Sequence, residues 1–237
     1  MDKLMDYVCL DLETTGLNPK MDKITEIGAV KVRNREMVGT FSTLINPGRK
    51  LDERIVELTG ITDDMLRDAP SIGEVLPDFL NFSEELPLLG HGVLFDYSFM
   101  KRAVVNAGEK YERKGLDTLP IARKYLAGLE SRSLGFLCRY YEIPHRAHRA
   151  LEDARATSAL YEKLWEDFSE KEDGELVFRP KDLIYKVKKE APITEAQKVR
   201  LYKLIVRHKL NVDYDVEKLT RNEASRYTDR ILATYGR

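Results

Sequence analysis

A chain of 237 residues with 43% hydrophobic content is long enough for one α/β domain and a smaller appendage, and no apolar run approaches the ~20 residues a membrane span requires. The opening MDKLMDYV lacks the basic-then-apolar layout of a signal peptide, so the expectation is a cytoplasmic protein with no membrane partner. Net charge is −1, yet residues 1–170 hold 23 Lys and Arg against 29 Asp and Glu, a net −6, while residues 171–237 hold 16 against 11, a net +5. An acidic body with a basic tail suits a polyanion held beside a carboxylate-rich site, although such segregation also occurs in proteins without that job.

In chain order, DYVCLDLE, ITEIGAVKVR and EMVGTFSTLINP read as three strands joined by the turns TGLNPK and NRE, a β-meander. The pattern then turns helical, first in DERIVELTG and then in SIGEVLPDFLNF, which opens on the capping box Ser71 to Glu74. The short apolar strand PLLGH leads into the helix FDYSFMKRAVVNAG, with further helices over about 117–127, 131–141 and 149–168. SEKEDGELVFRPKD, with Gly174 and Pro180, reads as part of a charged linker. Beyond it, capping boxes at Thr194/Gln197 and Thr220/Glu223 open helices over about 195–209 and 221–235. Cys9 and Cys138 have no metal-ligand spacing and read as buried thiols.

Carboxylates occur in awkward places. On a pleated strand Val8, Leu10 and Leu12 face one way and Cys9, Asp11 and Glu13 the other, so two acids share one half-buried face and repel unless a cation or donor compensates. Asp96 falls in the first turn of a helix with the apolar stripe Phe95, Phe99 and Ala103, where an Asp can also serve as a cap or dipole residue. Asp153 falls between Leu160 and Leu164 on the inward face of the long helix and needs a partner, whether a cation, an amide or a metal. His148 stands five residues ahead of it, where a His can equally be exposed or a cap. A D-x-E on a strand, an Asp opening a helix and H-x4-D opening a late helix supply four carboxylates and one imidazole. That set suits two oxygen-ligated divalent ions with a base for the attacking water.

These stretches resemble the DEDDh 3′-to-5′ exonucleases, the group containing the proofreading (epsilon) subunit of bacterial DNA polymerase III and the exonuclease insert of its Gram-positive relative. DLETTGL, HGVLFDYSFM and AHRALEDARAT match its three motifs, and LINPGRKL, IVELTGITDDML and LDTLPIAR match between them, over about residues 5–168. Gly92 replaces the Asn common after His91, which weakens any nucleotide contact assigned to that turn.

The resemblance implies a ribonuclease H-like mixed five-stranded sheet with the first strand central. It also implies two Mg2+ or Mn2+ ions about 3.5–4 Å apart. Asp11 would bridge both, Glu13 and Asp153 would complete the first site, Asp96 would hold the second through water, and His148 would be the general base. Thr14, Leu17 and Phe95 are the implied substrate contacts, and His91 has a packing or orienting role.

The expected domains are a DEDDh exonuclease over 1–170, a linker over 171–192 and a small basic helical hairpin over 193–237. The expected activity is metal-dependent release of nucleoside 5′-monophosphates from single-stranded or frayed DNA 3′ ends. The alternatives are an RNA-trimming exoribonuclease of the same family, since the motifs do not encode the 2′-hydroxyl, or a non-catalytic nucleic-acid-binding accessory module. No clamp-binding peptide of the type Gln, two residues, Leu or Met, then an aromatic is found between 168 and 195, so polymerase association has no motif behind it. The basic tail is expected to contact the phosphates of a long strand.

Overall fold

Two strands buried along nearly their whole length and a more exposed third make the meander: Tyr7–Thr14 (β1), Ile24–Arg33 (β2) and Glu36–Leu44 (β3) pair antiparallel, with Asp11 opposite Gly28 and Glu13 opposite Glu26. The computed structural model describes residues 3–212 and 214–236. Three helices follow, Glu53–Thr59 (α1), Asp63–Leu66 (α2) and Ile72–Ser83 (α3), the last opened by the expected Ser71–Glu74 box. Leu88–Gly90 (β4) returns parallel to β1, and Leu94–Ala107 (α4) crosses to Lys114–Asp117 (β5), parallel to β4. Thr118–Tyr125 (α5), Leu134–Tyr140 (α6) and Ala150–Phe168 (α7) follow, then Gly174–Val177 (α8) and the two-residue strand Lys181–Asp182 (β6).

The sheet order is β3-β2-β1-β4-β5-β6. Its first five strands are the expected mixed sheet with β1 at the centre, and β6 adds an antiparallel edge strand to β5. Each face covers its own core. Val8, Leu10 and Leu12 pack with Phe79 of α3 and Met100 of α4, whereas Tyr7 and Cys9 pack with Ala154, Leu160 and Leu164 of α7. Both cysteines are buried free thiols.

The chain divides into two units, one comprising residues 1–47 and 51–187, the other residues 48–50 and 188–237. Most of the segment read as a linker over 171–192 therefore belongs to the first unit. Phe178 is buried in the α7-side core and Leu183 packs against the opposite one, so apolar residues inside a charged run anchor it. The second unit holds Glu195–Arg207 (α9), a 3₁₀ turn at Val216–Lys218 and Arg221–Tyr235 (α10), both α-helices opened by the capping boxes read from the sequence. Leu201, Leu204, Val216, Leu219, Ala224 and Ile231 form a core of its own. No helix among the described residues is long and apolar enough to cross a membrane.

Candidate metal centre

The site is assembled by seating α7 on β2. A side chain at Gly28 would put its Cβ 2.0 Å from the Ala150 carbonyl carbon and 2.1 Å from the Leu151 nitrogen, so the absent Cβ allows the helix start to lie directly on the strand. Two residues back along β2, Glu26 is only 2% exposed and accepts from Arg149 Nη2 at 3.0 Å, from Arg149 Nε at 3.3 Å and from the Ala150 amide at 3.2 Å. This clamp satisfies one of the free N–H groups at the helix start and neutralises a buried carboxylate. The reading of the sequence passed over Glu26. Its signal was an acid on a near-continuous buried strand, in a position that alternation assigns to the interior.

Seated this way, α7 turns Asp153 toward β1. Ligand oxygens of Asp11, Glu13 and Asp153 lie within 4.8 Å of one another. Asp96, buried in the first turn of α4, accepts from the Leu12 amide at 3.0 Å and so stands against the same strand. Burial, followed by the charges of Asp96, Asp153, Glu13 and Glu26, holds the Asp11 carboxyl well above the usual carboxylate range. Asp96 is raised as well, chiefly by burial. Glu13 is pushed up to about 7 by burial first, then by Asp153 and Glu26. Adjacent buried carboxylates that raise one another are arranged for a cation. The donor set is entirely hard oxygen, which fits Mg2+ or Mn2+ and disfavours a thiophilic metal.

The two histidines near α7 are placed differently from each other. Nε2 of His145 contacts Oδ1 of Asp153, whose Oδ2 accepts from the Arg149 amide at 3.2 Å. His148 is exposed at a left-handed backbone position, φ 63°, and Glu142 at the other end of the loop is also left-handed, φ 55°. The sequence reading did not single out His145, because it stands eight positions ahead of Asp153 in the loop that precedes α7, where helical spacing does not apply.

Of the expected substrate contacts, Leu17 is 84% exposed at the turn after β1, whereas the Thr14 hydroxyl donates to the Gly16 carbonyl at 2.7 Å and braces that turn. Phe95 is half-buried against Phe99, ring centroids 5.0 Å apart. Both ring nitrogens of His91 are engaged, Nδ1 with the Thr118 hydroxyl at 2.9 Å and Nε2 with the Arg132 carbonyl at 2.8 Å. Gly92 takes φ 91°, and its amide donates to Asp117 at 2.8 Å, so a left-handed turn explains the glycine there. A surface cavity of about 740 Å³ bounded by Tyr125, Lys171, Asp173 and Arg179 shares no lining residue with the carboxylates.

Residues 8–161 match the family profile described as Exonuclease (RNase_T). The DNA polymerase III PolC-type of Caldanaerobacter subterraneus subsp. tengcongensis is 41% identical over 167 residues, 70% of this chain and 12% of that protein. The PolC-type polymerase of Oceanobacillus iheyensis is 34% identical over 238 residues, 95% of this chain and 17% of that protein. The chain thus spans a small part of the length of these relatives. Among solved structures, exonuclease X in complex with 5′ overhanging duplex DNA superposes with TM-score 0.57 at 25% identity, covering 69% of this chain and 93% of that one. Exonuclease I gives TM-score 0.62 at 21% identity, covering 68% and 41%, a likeness of fold.

Proposed function

Since the chain belongs to the exonuclease (RNase_T) family, we propose that it is a cytoplasmic, metal-dependent 3′-to-5′ exonuclease releasing nucleoside 5′-monophosphates from single-stranded or frayed DNA ends. The observation that carries this reading is the convergence of Asp11, Glu13 and Asp153 within 4.8 Å, with Asp96 against the same strand. Asp11 would bridge two ions, Glu13 and Asp153 would complete one site, and Asp96 would hold the other through water. Two bound Mg2+ or Mn2+ ions supply Lewis-acid stabilisation of the charge that builds on the phosphoryl oxygens and the departing 3′-oxygen. His148 takes the proton of the water whose oxygen attacks phosphorus, and the phosphodiester breaks at the 3′-oxygen of the penultimate nucleotide. Leu17 presents an apolar surface for the terminal base, Phe95 borders the site from α4, and Thr14 acts by bracing the turn.

The contact of His145 with Asp153 favours a second assignment of the imidazole, in which His145 is the base and His148 a bystander. Labelled single-stranded DNA, paired and mismatched duplexes and RNA of equal sequence, each with Mg2+ or Mn2+, test the activity as product ladders. Asp11→Ala, Glu13→Ala, Asp96→Ala and Asp153→Ala are each expected to cut turnover by about 100-fold or more, the scale of several kcal/mol of transition-state stabilisation. Full turnover in the Asp11 variant sinks the reading. His148→Ala is expected to lose most activity and His145→Ala little; the reverse result transfers the role of base to His145.

A further inference from the structure

Helix α9 carries four cations and a single acid along Glu195–Arg207. Lys198 is neutralised by Glu195 at 2.9 Å and Glu217 at 2.6 Å. Arg200, Lys203 and Arg207 are exposed and have no ion pair among the described residues. At 100° per residue these three fall within an arc of about 60°, a row of like charge at i, i+3 and i+7. Like charges three and four residues apart destabilise a helix, so the row carries a cost that no ion pair among the described residues offsets. Adjoining the row, on an exposed arc centred about 100° further round the helix, are Val199, 51% exposed, Val206, 74% exposed, and Tyr202, whose hydroxyl donates to Glu217 at 3.1 Å and holds the ring in place. The remaining arc is committed to the core through Leu201 and Leu204.

From this pairing of an uncompensated cationic row with an exposed apolar and aromatic row, we propose that this face of α9 binds single-stranded nucleic acid. The inference rests on the nuclease reading for its choice of polyanion. Arg200 to Arg207 covers about 10 Å of helix axis, so the row can follow a strand's backbone past more than one phosphate. The apolar row selects a single strand over a duplex, because only unpaired bases offer a free face to valine and tyrosine. The face adds affinity for strands longer than the metal centre alone would engage.

The test uses the full chain carrying Asp11→Ala, so that the probe is not cut, and the same chain with Arg200→Gln, Lys203→Gln and Arg207→Gln added. Binding to a 40-nucleotide oligo-dT is measured across a salt series. Three lost phosphate contacts are expected to flatten the slope of log affinity against log salt by about 2, at roughly 0.7 per phosphate. Thermal unfolding should be unchanged or slightly raised, which separates the effect from misfolding. Equal slopes and affinities overturn the proposal, as does equal displacement of the strand by poly-glutamate of matched charge, which would assign the face to an acidic protein. With Asp11 intact, the triple variant should cut a very short oligonucleotide at the wild-type saturated rate. If the unaltered chain releases no nucleotide at all, it is the nuclease reading that fails, whatever the slopes.

Discussion

Asp11, Glu13 and Asp96 are held in a state that ordinary carboxyls avoid. Their raised pKa values mean that the folded, metal-free protein keeps protons that the unfolded chain has released. Stability from these groups is therefore fully present at low pH and is lost as pH rises. For Glu13 the window runs from the ordinary glutamate value of 4.5 to about 7. A shift of that size corresponds to about 3 kcal/mol from this residue, as an upper figure. The melting temperature of chelator-treated protein should fall across that interval, and Mg2+ should restore more stability at pH 7 than at pH 5, since a cation binds only the ionised form. Asp11→Asn should flatten the pH dependence and raise metal-free stability. A flat profile in the wild-type protein would show that the cluster carries no such electrostatic strain.

At the scale of elements, the site depends on how closely α7 approaches β2. Gly28→Ala places a methyl against backbone that cannot rotate away, so the helix start must retreat, carrying Asp153 from Asp11. The expected cost is about 1–3 kcal/mol of stability, the usual range for overpacking, together with loss of the Mg2+-induced rise in melting temperature. Glu26→Ala approaches the same joint from the other side. It leaves the Ala150 amide without its acceptor and frees Arg149, at about 1–3 kcal/mol for the unpaired group. Manganese affinity followed by calorimetry should fall in both variants although neither residue is a proposed ligand. Wild-type affinity in both would mean that the helix seat is irrelevant to the centre.

For the whole molecule, the boundary at 187/188 makes a sharp distinction between truncations. A chain ending at Val187 keeps β6, Phe178 and Leu183, and should retain its melting transition and its turnover on short oligonucleotides. One ending at Arg179 removes β6 and Leu183, which fills the space over Gly115, where a Cβ would stand 2.7 Å from the leucine Cδ1. That chain should unfold at lower temperature by several degrees, as expected for a loss of about 1–3 kcal/mol on exposing one core leucine and an edge strand. Equal melting temperatures for the two would show that residues 180–187 do not belong to the first unit.

What the sequence determined by itself is what local period and short spacing encode. Strand alternation put Asp11 and Glu13 on one face, the 100° helical step put Asp153 on the inward face of α7, and capping boxes marked the starts of α3, α9 and α10. The motif spacings carried the resemblance that the family match bears out. The tertiary structure decided whatever depends on partners far apart in the chain. Glu26 meets Arg149 across 123 positions, and Leu12 meets Asp96 across 84, contacts that no local window contains. Between His145 and Asp153 the backbone passes through a loop, with His148 in the left-handed region, before α7 begins, so no period could say which imidazole reaches the carboxylate. The charged run over 171–187 shows the same limit. Its composition is that of a linker, but one phenylalanine and one leucine facing two preformed cores are enough to hold it down, because burial depends on the surface offered from elsewhere in the chain.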